Sequence, residues 1–117
     1  MDVAFGAEPY VVALHIVPLS PESDQEYITR KAGEHGVSAK KILKPIKCES
    51  GFRHEGLYGD GGRAYGIAQF HRPTFESFKK KANMPTANYF NKYDQIDLMA
   101  WAFKVGYANH WTCFRKI

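Results

Sequence analysis

The stretch Cys48-Glu49-Ser50-Gly51-Phe52-Arg53, read with Gly59-Asp60-Gly61-Gly62-Arg63-Ala64-Tyr65-Gly66-Ile67-Ala68-Gln69-Phe70, organises the reading of the chain. It sets one carboxylate at the end of an amphipathic helix. A glycine-dense loop follows, then a mostly apolar run carrying a single amide. The helix is expected over Val37 to Ser50, with Ser38 suited to cap its start. Ala39, Ile42, Leu43 and Ile46 recur at helical spacing on one side, with Lys40, Lys41, Lys44 and Lys47 mostly elsewhere. The next positions of that stripe are Glu49 and Ser50, so the acid falls where the core-facing face would continue. Pro45 removes a helical hydrogen bond and predicts a kink or restart, which leaves the phase at Glu49 open. With the phase kept, Glu49 is partly desolvated and its pKa rises. A helix C-terminus disfavours the anion too. A carboxylic acid protonated near neutral pH is suited to general acid catalysis. The alternative is a solvated Glu closing a surface helix, and the helix alone favours that.

The second stretch shifts the balance. Gly59, Gly61, Gly62 and Gly66 lie within eight residues, a density that implies tight turns or close backbone approach. A flexible surface loop would explain Gly59 to Gly62. It does not explain Tyr65 to Phe70, which reads as a short buried segment with one amide, Gln69. A buried amide must be hydrogen-bonded, and a sugar N-acetyl group or the Glu49 carboxyl would serve as partner.

Glu49-Ser50-x-Phe52, followed by Gly62-x-Ala64-x-Gly66-Ile67-Ala68-Gln69, resembles the soluble lytic transglycosylase (SLT) domain of the lysozyme-like superfamily. That family carries Glu-Ser and then Gly-x-x-Gln about twenty residues on; here the interval is 69 − 49 = 20. The resemblance covers about Ser38 to Trp111 and leaves the first two dozen residues unread. It implies a mainly α, lysozyme-like domain with a groove. It implies that Glu49 is the catalytic acid/base and that Ser50, Gly66 and Gln69 shape a sugar site. The family's third motif, Ala-Tyr-Asn-x-Gly, has its nearest match in Ala102-Phe103-Lys104-Val105-Gly106. Phe103 and Lys104 lack the usual hydroxyl and amide, so those substrate contacts come from Tyr65, Tyr107 or Asn109, or are absent.

The expected activity is cleavage of the β-1,4 bond between N-acetylmuramic acid and N-acetylglucosamine in peptidoglycan, giving 1,6-anhydromuramic products. Neither metal nor organic cofactor is implied, and the expected state is a monomer. Two other readings stand beside this one. The first is a muramidase using water, with Glu55 or Asp60 as a second carboxylate. The second is a non-catalytic glycan-binding or structural module, suggested by the altered third motif.

Composition sets outer limits. A chain of 117 residues, 44% hydrophobic and 15% aromatic, is long and apolar enough for one globular domain. We divide it into an N-terminal extended segment, residues 1–24, and the catalytic domain, residues 25–117. A net charge of +4 favours anionic partners without choosing among them. Val11 to Val17 is a short β-branched run ended by Pro18 and reads as a strand. It is too short to span a bilayer. With Asp2 and Glu8 before it and no Lys or Arg, it does not read as a signal peptide; the expected location is nonetheless outside the cytoplasm.

Further helices are expected over Gln25 to Glu34, closed by Gly36, from Pro73 to the Asn83-Met84-Pro85 stop, and over Asp94 to Val105 with Gly106 as cap. His54-Glu55-Gly56-Leu57-Tyr58 lacks the second histidine of a zinc-protease motif. Gly59-x-Gly61-x-x-Ala64 lacks the βαβ setting of a dinucleotide site. Basic residues mixed with aromatics (His71, Arg72, Phe75, Phe78, Lys79) would suit a nucleic-acid backbone, but a solvated face is the simpler reading and no nucleic-acid partner is expected. The two cysteines, Cys48 and Cys113, are either free buried thiols or a disulfide. A disulfide closing 113 − 48 = 65 positions would stabilise by about 4 kcal/mol in the chain-entropy model, and it would fit an oxidising compartment.

Overall fold

The computed structural model describes residues 21–116 and is mainly helical, with one small sheet. The N-terminal strand expected over Val11 to Val17 lies outside the described residues. Helix α1 spans Asp24–Glu34. Ser23 accepts from the Glu26 backbone N–H while the Glu26 side chain reaches back to the Ser23 N–H, a reciprocal cap that fixes the start. At its end, Val37 N–H bonds to the Ala32 carbonyl across a left-handed Gly36, which satisfies the last carbonyls. The helix buries Ile28 and Ala32.

Helix α2 spans Ala39–Ser50 and runs through Pro45 as one element. Pro45 is buried with Ile42, Ile46 and Ser50, so its ring adds to the apolar face while its missing N–H leaves one carbonyl unpaired along the helix. The phase therefore carries on to Glu49, which is half-buried. Ser38 occupies the cap position but its side chain makes no capping bond. The helix stops at Gly51, which takes the left-handed conformation at φ 62°.

The glycine-rich stretch forms a three-stranded antiparallel sheet in the order β1 (Tyr58–Gly59), β2 (Ala64–Tyr65), β3 (Phe70–His71). Tyr58 pairs with Tyr65, Tyr65 with Phe70 and Ala64 with His71. A 3-10 turn, Asp60–Gly62, joins β1 to β2. These two-residue strands carry no readable alternation, and the sequence analysis treats the region as loop and buried segment only.

Helix α3, Arg72–Lys81, starts with Pro73 in its first turn. Helix α4, Lys92–Lys104, buries Gln95, Ile96, Leu98, Met99, Ala100 and Ala102. It ends where Tyr107 N–H bonds to the Ala102 carbonyl across Gly106, the same closure as in α1. Helix α5 is short, Thr112–Lys116. Helices α1 and α2 pack together and against α4, while α5 lies on α2. The core gathers Ile28, Ile42, Ile46, Ile67, Phe70, Phe75, Leu98, Met99 and Trp111. Among the described residues, no helix is long and apolar enough to cross a membrane.

Candidate active site

Glu49 stands at the C-terminal end of α2, where the chain must reverse. Ser50 makes the reversal possible: its hydroxyl donates to the Ile46 carbonyl and accepts from the Phe52 N–H. Gly51 and Phe52 both take positive φ, 62° and 65°, which is strained for a bulky residue such as Phe. Ser50 is buried and works beneath the site, not in it.

Glu49 opens into a cleft of about 360 Å³ whose other walls are Asp60, Ala64, Gln69, His71, His110, Trp111 and Thr112. Partial burial pushes the Glu49 carboxyl above the usual carboxylate range. The Cys113 N–H, donated to Glu49 Oε2 at 3.3 Å, and the Lys116 charge oppose that shift without reversing it. The N–H is delivered by a disulfide: Cys48 and Cys113 are bonded, which ties the start of α5 beside the end of α2.

The opposite wall is the sheet. Gln69 lines the cleft at φ 50°. Its amide Nε2 donates to the carbonyls of Leu57 and Gly66, so its partners are backbone oxygens, where the sequence analysis expects a sugar or Glu49. Gly59 makes room for it, since a Cβ there would stand 2.1 Å from Gln69 Oε1. Gly66, at φ 85°, is buried against His54 and Gln95, with a Cβ placed 2.6 to 2.7 Å from their side chains.

Asp60 also faces the cleft. Its Oδ1 accepts from Arg63 Nη2 at 3.0 Å and its Oδ2 from His71 Nε2 at 2.8 Å. The Arg63 hydrogen bond and charge, and then His71, hold its carboxyl below the ordinary aspartate value. The His110 pKa is lowered as well: desolvation comes first, then the His71 and Arg115 charges, although its outer edge meets solvent. Trp111 is 2% exposed and donates its indole N–H to the Ala68 carbonyl at 2.8 Å, so it is core that shows only part of its surface to the cleft.

The remaining candidates sit elsewhere. Tyr65 is buried among Tyr58, Tyr89, Phe90 and His54, and its hydroxyl accepts from the Gly56 N–H. Phe103 packs on Trp111 and Phe114 and does not line the cleft. Tyr107 stacks on Phe78 at 5.0 Å, exposed on the flank. Glu55 is exposed and outside the cleft.

His110 and Thr112 are cleft residues that the sequence analysis does not name, and His71 enters it only among the basic residues of the nucleic-acid reading. Two signals pointed to them. His71 lies two residues beyond Gln69, close enough in sequence to reach the same cleft. His110 and Thr112 lie just before Cys113, so pairing of the cysteines brings them to Glu49. His54 is structural: Nδ1 accepts from the Ile67 N–H and Nε2 donates to the Phe90 carbonyl, a pattern only the neutral ring satisfies. Among the described residues, no three His, Cys, Asp or Glu side chains gather in a way that would hold a metal ion.

No protein-family model matches the chain, and neither does any curated protein or solved structure.

Proposed function

We propose that the chain is a lysozyme-like lytic transglycosylase acting on the β-1,4 bond between N-acetylmuramic acid and N-acetylglucosamine. The observation that carries this reading is Glu49, a half-buried carboxyl whose pKa burial raises, at the head of an open cleft shared with Gln69. Glu49 gives its proton to the leaving glycosidic oxygen, and positive charge develops at the muramic anomeric carbon. The resulting carboxylate, steadied by the Cys113 N–H, takes the proton of the muramic C6 hydroxyl as that oxygen attacks the anomeric carbon. The product is a 1,6-anhydromuramic end, and Glu49 is protonated again.

A hydrolytic route would need a second carboxylate to take a proton from water. Glu55 is outside the cleft, and both oxygens of Asp60 already accept hydrogen bonds while its pKa is lowered, which makes it a weak base. The substrate is then the glycan strand of peptidoglycan. The Cys48–Cys113 disulfide supports a location in an oxidising space outside the cytoplasm.

The test is to incubate the protein and Glu49→Gln with purified peptidoglycan and weigh the soluble products. Products one water lighter than hydrolysed muropeptides, made by the wild type and lost in the variant, are expected. Hydrated products would move the mechanism to hydrolysis. No product from the wild type would overturn the enzyme reading and leave a glycan-binding module.

A further inference from the structure

We propose that the Cys48–Cys113 disulfide is a redox gate on the Glu49 cleft: the cleft is assembled when the cysteines pair and disabled when a dithiol reductant opens the bridge. The inference rests on reading Glu49 as the working acid. Three observations carry it. The bridge leaves α2 one residue before Glu49 and enters α5 at the residue whose N–H is donated to Glu49 Oε2, so both ends of the covalent link border the acid. The tethered side is weakly built. Helix α5 has five residues and buries none of them, and a helix that short does not hold itself in water. Among the described residues, Arg115 bonds to the Asn109 carbonyl and the Thr112 hydroxyl, inside the same stretch. What ties α5 outward is the bridge, the Cys113 N–H and the packing of Phe114 on Phe103. The bridge can also be reached: Cys48 is exposed, and exposed disulfides are the labile class because exchange needs a thiolate to approach a sulfur.

A thiolate of the dithiol attacks one sulfur of the bridge, the Sγ–Sγ bond breaks and a mixed disulfide forms. The second thiolate of the reductant then displaces the protein sulfur. Two electrons and two protons have passed to Cys48 and Cys113, and the reductant leaves as a cyclic disulfide. An external disulfide runs the exchange backwards. The opening is local. Trp111 is buried, donates to the Ala68 carbonyl and packs on Phe70, so the core side of the wall survives and the chain frays from Thr112 onward. What is lost is the N–H on Glu49 and the Thr112 wall of the cleft. A chain made in a reducing compartment is then idle until it reaches an oxidising one.

The test compares the oxidised protein, the protein reduced with dithiothreitol, and a Cys48→Ala, Cys113→Ala double variant in steady-state kinetics on soluble glycan strands. Alkylation and intact mass count the thiols, far-UV circular dichroism follows the fold, and amide hydrogen exchange follows α5. Reduction should expose both cysteines, keep the helical spectrum and speed exchange in α5 relative to α4. It should lower kcat by roughly tenfold to a hundredfold, the scale of a reacting geometry misplaced by about 1 Å. Turnover should return when oxidised glutathione restores the bridge. The double variant should turn over at the reduced rate with or without dithiothreitol, which separates the gate from any other effect of the reductant. Equal turnover in the oxidised and reduced forms, α5 amides equally protected in both, or loss of the whole fold on reduction overturns this inference alone. An oxidised protein that makes no product overturns the functional reading and this inference with it.

Discussion

Gly66 has no room for a side chain and a backbone that resists one. Its φ of 85° and the 2.6 Å approach of Gln95 Nε2 act together. Gly66→Ala should cost ~2–5 kcal/mol, adding left-handed strain to overpacking, and a large fall in melting temperature checks it. Gly59 is different. Its backbone is extended at φ −136°, so the only obstacle to a methyl is the end of the Gln69 side chain. Gly59→Ala should cost about 1 kcal/mol or less in stability while pushing the Gln69 amide off its two carbonyl partners. Turnover on glycan strands should therefore fall by a larger factor than stability would explain; unchanged turnover would mean that Gln69 does not shape the site. The glycine density was legible as a tight backbone, but which glycine faced a side chain was not. Gln69 shows why. Its partners are carbonyls three and twelve residues back, and nothing in side-chain spacing marks a backbone oxygen. The fully buried amide is Gln95, which bonds to Ala68, Tyr65 and Tyr89; it lies inside an apolar helix where one polar letter reads as noise.

At the scale of elements, legibility followed length. Helices α1 to α4 each supply enough turns for periodicity and caps to register, and their boundaries fall within about two residues of expectation. The two-residue strands and the five-residue α5 fall below that threshold. With the turns that join them they also build most of the cleft, so the acid was readable and the walls facing it were not. The disulfide links the two classes. It fastens α5, with little core of its own, to the end of α2 and places the Cys113 N–H on Glu49. A Cys48→Ala, Cys113→Ala double variant should lose about 4 kcal/mol by the chain-entropy model for this loop, measured by urea unfolding at equal pH. Turnover should fall as well, since the N–H that steadies the ionised Glu49 is no longer held. A variant as stable as the wild type would show that Trp111, through its bond to Ala68 and its packing on Phe70, anchors this region without the bridge.

For the whole molecule, the decisive property is how stability changes with pH, because it reports the environment of Glu49 without any substrate. Burial raises the folded-state pKa of Glu49 above its unfolded value. Below the unfolded value, about 4.3, both states hold the proton and the protein keeps its full stability. As pH rises toward and through the folded value, the unfolded chain gives up the proton more readily, and stability is lost over that window. Glu49→Gln has no proton to lose. Its melting temperature should stay level where the wild type declines, so the gap between them should widen from pH 4 toward neutrality. Asp60 works in the opposite sense: its lowered pKa gives stability above the ordinary aspartate value that is lost as pH falls, which confines its effect to the acid side. Activity should follow the same Glu49 carboxyl, failing as pH rises through its folded value because the general acid must begin protonated. The charged and titratable groups around it, Lys116 on α5 and Asp60, His71 and His110 across the cleft, are common to both measurements. The stability gap should therefore stop widening near the pH at which turnover falls. A gap that stays flat with pH would mean Glu49 is as solvated as any surface glutamate, and the general-acid role would lose its physical basis.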